Sequence, residues 1–278
     1  MSRDGGPLPP ELEREIFEMA AGLHATMRYP LLFVARRVQL WIEPLLYHTL
    51  QFTQKTKYPP LNLKPPVFFA QYTRRLVMYD AHPDESQQIL TLCSHATGLA
   101  LGDVPVRPDF YDSLFSRDNI SHLACFSGAL RCPANTDAMS AALAARPLLS
   151  VLTHFEAFDR VLDATLVTFL SRLPALTHLA VNDWETGAWP ARKRLLAECP
   201  RLHVLVLLDS EVSAAKAYEE RVPPDIRDVR FVITWYREWA EGVLEGYSYW
   251  DAADAFVARK RRHEIEDDRF FANRADRV

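Results

Sequence analysis

The stretch Leu152-Thr-His-Phe-Glu-Ala-Phe-Asp159 recurs 24 residues later as Leu176-Thr-His-Leu-Ala-Val-Asn-Asp183. In both copies alternate positions are apolar and the run closes on Asp, so each reads as one short strand ending in a turn. Relatives of this octet run from Thr73 to Asp80, Thr97 to Asp103, Ile120 to Ser127 and Leu202 to Asp209, with a looser one from Ile226. Their central apolar anchors are Leu76, Leu99, Leu123, Phe155, Leu179, Leu205 and Val229, spaced 23, 24, 32, 24, 26 and 24 residues apart. A period in the twenties marks a repeat protein.

Between the strands, apolar residues fall at helical spacing: Ile89, Leu92 and Cys93; Leu166, Phe169, Leu170 and Leu173; Leu195, Leu196 and Cys199. Each unit is therefore strand then helix, and such a unit cannot bury its apolar face alone. Stacked units predict an α/β solenoid with about seven parallel strands lining the inside of a curve. The strand pattern resembles a leucine-rich repeat in degenerate form. Where that family shows Asn five positions after the anchor, Asp80, Asp103, Asp159, Asp183 and Asp209 stand four after it, and they are expected to cap the turn or the following helix.

The chain has 278 residues, 49% of them hydrophobic, and a net charge of −4, which allows one large domain or two smaller ones. A nucleic-acid binder would carry a basic surplus, so no nucleic-acid partner is expected. No apolar run approaches the length of about 18 residues that a membrane span needs. The opening Met-Ser-Arg-Asp-Gly-Gly lacks the apolar core of a signal peptide, and a cytoplasmic or nuclear location is the expectation. Cys93, Cys125, Cys132 and Cys199 form no C-x-x-C pair and read as buried reduced thiols. No phosphate-cradling glycine loop, nucleophile elbow or H-E-x-x-H occurs, so neither a catalytic residue nor a cofactor is assigned.

At the start, Pro9 and Pro10 suit the entry to a helix, and Leu12, Ile16, Met19, Ala20 and Leu23 fall on one face of it. Pro30 opens a second helix through Ile42, and Pro44 stops that helix or starts a third through Leu50. Leu8-Pro-Pro-Glu-Leu12 with Ile16-Phe17, then Val34-Ala-Arg-Arg37, then Pro44-Leu-Leu-Tyr47, resembles an F-box, the helical module that docks on the Skp adaptor of cullin ubiquitin ligases. The whole chain resembles the F-box-like proteins of basidiomycete fungi, in which such a head precedes degenerate leucine-rich repeats. The resemblance implies that Leu8, Pro9, Leu12, Ile16, Pro44 and Leu45 meet the adaptor. It also implies that the protein is a non-catalytic receptor, holding a target protein for a ligase. The alternative is a helical cap on the open end of a scaffolding repeat protein.

The organisation expected is a head over residues 7–52, a Pro-rich linker over 53–66, the solenoid over 67–234 and an aromatic C-terminal cap and tail over 235–278, disordered after Asp268. The residue before each anchor forms one column on the concave face: Arg75, Gly98, His122, His154, His178, Val204 and Asp228. The residue three after each anchor forms another: Tyr79, Gly102, Phe126, Phe158, Asn182, Leu208 and Val232. Neighbouring strands lie about 5 Å apart, which brings the three histidines within reach of one another. Arg75, Tyr79, His122, Phe126, His154, Glu156, Phe158, His178 and Asn182 are the candidate target-binding residues, with no metal assigned to the histidines. They are instead core if the C-terminal segment covers that face.

Overall fold

The computed structural model of the chain describes residues 8–52, 61–79, 83–103, 108–133, 135–182, 186–244, 246 and 248–274. Helices α1 (Pro10–Leu23), α2 (Arg28–Leu31) and α3 (Arg36–Leu46) open the fold. Strands and helices then alternate: β1 (Thr49–Phe52), α4 (Pro66–Tyr72), β2 (Arg75–Met78), α5 (Pro83–Leu92), β3 (Gly98–Leu101), α6 (Pro108–Phe115) and β4 (His122–Cys125). After α7 (Thr136–Ala145) and α8 (Pro147–Val151) come β5 (His154–Ala157), α9 (Ala164–Leu170), β6 (His178–Val181), α10 (Trp189–Glu198), β7 (Val204–Asp209), α11 (Val212–Tyr218), β8 (Phe231–Trp235) and α12 (Tyr249–Arg261). The eight strands form one sheet in sequence order, and every neighbouring pair is parallel. The architecture is a solenoid-like α/β repeat with helices before it and a helix after it.

The anchors make the register. Leu50, Leu76, Leu99, Leu123, Phe155, Leu179, Leu205 and Phe231 pair in one continuous line across the sheet. Together with the residues two further on, they point into the main core, where the helices between strands pack. The interval of 32 residues before Phe155 is longer than the others because it holds two helices, α7 and α8, instead of one.

Three expectations need correction. The sheet has eight strands where about seven were expected, the added one being Thr49–Phe52, which was read in part as the end of a helix and pairs with β2. Its four residues alternate half-buried and buried, a signal too short to separate from the helical run before it. Pro44 neither stops nor starts a helix; α3 carries it inside and ends at Leu46. The last anchor is Phe231 instead of Val229, which moves Asp228 out of the strand column and puts Val232 beside Val206.

Of the aspartates, Asp159 accepts from the Ser127 backbone N–H at 2.5 Å and from its hydroxyl at 2.8 Å, pinning the turn after β4. Asp209 accepts from the Glu211 N–H at 2.8 Å in its own turn. Asp103 is exposed, and Asp80 and Asp183 lie outside the described residues. Arginines supply a second tie between repeats. Arg117 donates to the carbonyls of Leu90, Cys93 and Ser94 at the end of α5. Arg230 does the same for Leu196, Cys199 and Leu202 at the end of α10. The last carbonyls of a helix lack intrahelical donors and carry partial negative charge, so a guanidinium there satisfies both. Cys93, Cys125 and Cys199 are buried and all four thiols are free; burial pushes Cys93 and Cys199 up to about 11.

Residues 269–274 pack against the body, whereas disorder was expected after Asp268. Phe271 bridges to Ile233 alongside β8, and the backbone of Ile233 bonds to Phe270 at 2.8 Å and to Ala272 at 2.9 Å. Glu219 accepts from the N–H groups of Phe270 and Phe271 at 2.6 and 2.9 Å. Arg274 is buried against Glu241 as an ion pair. An open sheet edge presents unpaired backbone groups, and this segment occupies the edge at β8.

Leu179 lies fully buried in the middle of the anchor line. Leu179→Ala is expected to cost about 2–5 kcal/mol in urea unfolding, whereas the same truncation at exposed Val161 is expected to stay within about 0.5 kcal/mol; equal losses at both positions would contradict the packing described.

Candidate functional site

The head first. Ala21 of α1, Leu31 of α2, and Val38 and Ile42 of α3 form a small core, against which Phe17, Ala20, Leu32, Ala35, Trp41 and Leu45 pack. Arg37 of α3 grips Glu13 of α1 through two bonds of 2.9 and 2.6 Å. Helix α1 thus turns Phe17, Ala20 and Ala21 inward. Its other apolar stripe, Leu12, Ile16, Met19 and Leu23, is 48%, 52%, 57% and 73% exposed. These residues recur at i, i+4, i+7 and i+11, one line along the helix.

The residues assigned to an adaptor divide accordingly. Leu8, Pro9, Leu12 and Ile16 are exposed along one edge of the head, whereas Pro44 and Leu45 are half-buried on α3 and Leu45 serves the head's own core. Sequence reasoning missed Tyr29, Phe33 and Leu40 and read Val34 only as part of the head's motif; all four are exposed. Phe33 and Val34 follow α2 in a stretch expected to be continuous helix, where their outward position had no periodic signal.

On the sheet, the histidine column forms as the spacing implies. The rings of His122 and His154 stack 4.0 Å apart at 13°, and those of His154 and His178 stack 4.0 Å apart at 8°. A hydroxyl precedes each: Ser121, Thr153 and Thr177 lie 2.9, 2.8 and 2.7 Å from the respective Nδ1 atoms. Thr153 Oγ1 already donates to the Ser121 carbonyl at 3.0 Å, and Thr177 Oγ1 to the Thr153 carbonyl at 3.2 Å. A hydroxyl has one hydrogen, so the network assigns the ring proton of His154 to Nδ1. The column ends at His178, whose Nε2 sits 3.1 Å from a carboxylate oxygen of Asp254.

This face is covered. The alternative posed by the sequence holds: Ala240, Val243, Tyr249 and Trp250 pack over Val77, Ala100, Ala124, Ala180, Val204 and Val206. Trp250 sets its edge against His154 and His178 at 5.4 and 5.6 Å. Glu156 is fully enclosed and accepts from the Tyr249 hydroxyl at 2.6 Å. Gly242 lies so close to Tyr249 and Trp250 that a Cβ there would collide with both rings' polar atoms.

Burial, with the neighbouring His122 and His178 second, depresses the His154 imidazole to about 2, and burial with Arg75 beside it depresses His122 to about 4. Burial raises the Glu156 carboxyl to about 7 against the opposing Tyr249 bond. Arg75, His122 and His154 are half-buried, while Glu156 and His178 are buried. These five are placed together, but under a cover. Among the described residues, no group of three or more His, Cys, Asp or Glu is arranged to hold a metal ion.

What stays at the surface is the rim at the ends of the strands. Tyr79 and Phe126 are exposed, and Phe158 and Asn182 are half-buried. Trp239 joins them: Tyr79 and Trp239 ring centres are 5.1 Å apart, Phe158 and Trp239 5.7 Å, Phe126 and Phe158 5.7 Å. Tyr79 packs flat over Gly102, where a Cβ would displace its ring. Trp239 was assigned to the cap alone, because nothing in local sequence places it beside Tyr79. No described helix is long and apolar enough to cross a membrane. Against known proteins, the chain matches no family model and no curated sequence.

The buried groups give opposite pH limbs. Glu156, raised in the fold, contributes stability below its unfolded value of about 4.5, lost as pH rises through about 7; the His122 and His154 imidazoles, depressed, contribute stability above about 6.5, lost as pH falls toward about 4 and below. In thermal melts Glu156→Gln is expected to raise the melting temperature at pH 8 relative to the wild type and to leave it unchanged near pH 4.5, and a variant equally shifted at both pH values would refute the assignment.

Proposed function

We propose that the chain is a substrate receptor of a Skp-cullin-F-box ubiquitin ligase. The head docks a Skp-type adaptor, and through it a cullin, while the repeat body holds a target protein; no catalytic residue is required of either part. The observation that carries this reading is the α1 stripe Leu12, Ile16, Met19 and Leu23, which faces solvent although the opposite side of the same helix is packed. A helix that only capped the sheet would turn its larger apolar side chains toward the repeats. Fully burying one such side chain is worth about 1.5–3 kcal/mol, so four in line are sufficient to anchor a partner helix.

The target-binding role passes from the covered histidine column to the aromatic rim of Tyr79, Phe126, Phe158 and Trp239. Aromatic side chains dominate interface energetics, and these four present a continuous apolar band at the strand ends.

The test is titration calorimetry of the full chain with a Skp-type adaptor protein. Micromolar or tighter binding is expected, weakened by roughly a hundredfold or more, about 3 kcal/mol, in Leu12→Asp/Ile16→Asp, with the melting temperature kept because both residues are exposed. Tyr79→Ala/Phe126→Ala is expected to leave adaptor binding intact. No heat of binding with the intact chain would discard the adaptor reading and leave a scaffolding repeat protein with a helical cap.

A further inference from the structure

The aromatic rim carries charge as well as rings. The residue three after each anchor is followed by Asp in five of the six repeats from Tyr79 to Leu208, at Asp80, Asp103, Asp159, Asp183 and Asp209, with Ser127 the exception. Asp80 and Asp183 lie outside the described residues. Asp103 is exposed and follows Gly102, over which the Tyr79 ring lies. Asp159 follows Phe158, and its bonds of 2.5 and 2.8 Å to Ser127 hold its carboxylate beside Phe126 as well. Glu238, also exposed, precedes Trp239.

These carboxylates lack cationic partners. Asp159 and Asp209 accept only from backbone N–H groups and hydroxyls, and none of Asp103, Asp159, Asp209 and Glu238 enters an ion pair among the described residues. Elsewhere the fold pairs its carboxylates with arginine, Glu13 with Arg37 and Glu198 with Arg194. The cations in the same stretches are Arg160, which is exposed, and Arg237, whose guanidinium carbon lies 5.8 Å from the Trp235 ring centre. Tyr79 and Phe126 are 43% and 44% exposed, so open ring surface and unpaired negative charge share the same strand ends.

An ammonium or guanidinium group is drawn to the face of an aromatic ring within about 6 Å of its centre, and it also neutralises a carboxylate beside it. A purely apolar partner would cover Asp103 and Asp159 without compensating their charge, an acidic one would repel them, and a polynucleotide would bring further negative charge. We propose that the rim takes an extended, lysine- or arginine-bearing segment of the target protein, with its cationic side chains over Tyr79 and Phe126 and against Asp103 and Asp159. This rests on the rim being the target-binding surface. From Tyr79 after β2 to Asp209 at the end of β7 the row crosses five strand spacings, about 24 Å, which is the length of about seven residues of extended chain.

The experiment uses the full chain and four short dye-labelled peptides that alternate serine with lysine, arginine, leucine or glutamate, read by fluorescence anisotropy. Saturable binding of the lysine or arginine peptide is expected, weakened by added salt, with none of the glutamate peptide. Tyr79→Leu keeps an apolar side chain but removes the ring; it is expected to weaken the cationic peptide by about fivefold and to leave the leucine peptide unchanged. Asp103→Asn, at an exposed position, is expected to weaken the cationic peptide by about threefold at unchanged melting temperature. Absence of saturable binding by both cationic peptides, or binding that neither variant alters, would overturn the proposal. Tighter binding of the leucine peptide, lost in Tyr79→Ala/Phe126→Ala, would overturn it while keeping the rim as the target surface; if no peptide responds to that double variant, the rim falls with it.

Discussion

Parallel strands cannot be joined by a tight turn, so every strand of this sheet must be followed by a crossover before the next one pairs. With strands added in strict sequence order, each crossover lies on the same side as the last. The helices therefore cover one face only, and the eight anchors point at them. That leaves a second face of short strands with no cover from the repeats themselves. The row of Val77, Ala100, Ala124, Ala180 and Val206 on this face, interrupted only by Glu156, is apolar and mostly small, which lets another part of the chain approach closely. The residues after β8 supply it, with Tyr249 and Trp250 laid across the middle of the sheet.

The repeat was legible because each anchor is buried for the same reason in every unit, and burial at a fixed interval leaves a periodic trace. The register slipped at Val229 because Asp228-Val-Arg-Phe231 offers two alternating choices two residues apart, and only pairing with Leu205 decides between them. The cover over the second face left no such trace. Glu156 and Tyr249 are 93 residues apart, and His178 and Asp254 are 76 apart, so the contacts that bury this face are set by tertiary approach. A sign of it was nevertheless present: the row just past the anchors, Val77, Ala100, Ala124, Ala180, Val206 and Val232, is apolar except at Glu156, as in strands buried on both sides.

The head shows a related ambiguity. Leu12, Ile16, Met19 and Leu23 form the stronger apolar line on α1, yet the weaker one of Phe17, Ala20 and Ala21 is the one that packs. Periodicity finds a face that avoids water without saying what it meets, and here the larger side chains face solvent while the smaller ones pack.

The cover over the second face also has a place in time. Synthesis runs from the amino end, so all eight strands and the helices between them precede Tyr249 and Trp250 on the ribosome. Until those residues emerge, the nascent sheet displays a row of uncovered valines and alanines and an open edge at β8. Such surfaces are the ones that chains stick to one another by, and the last stretch to be made is the one that closes them.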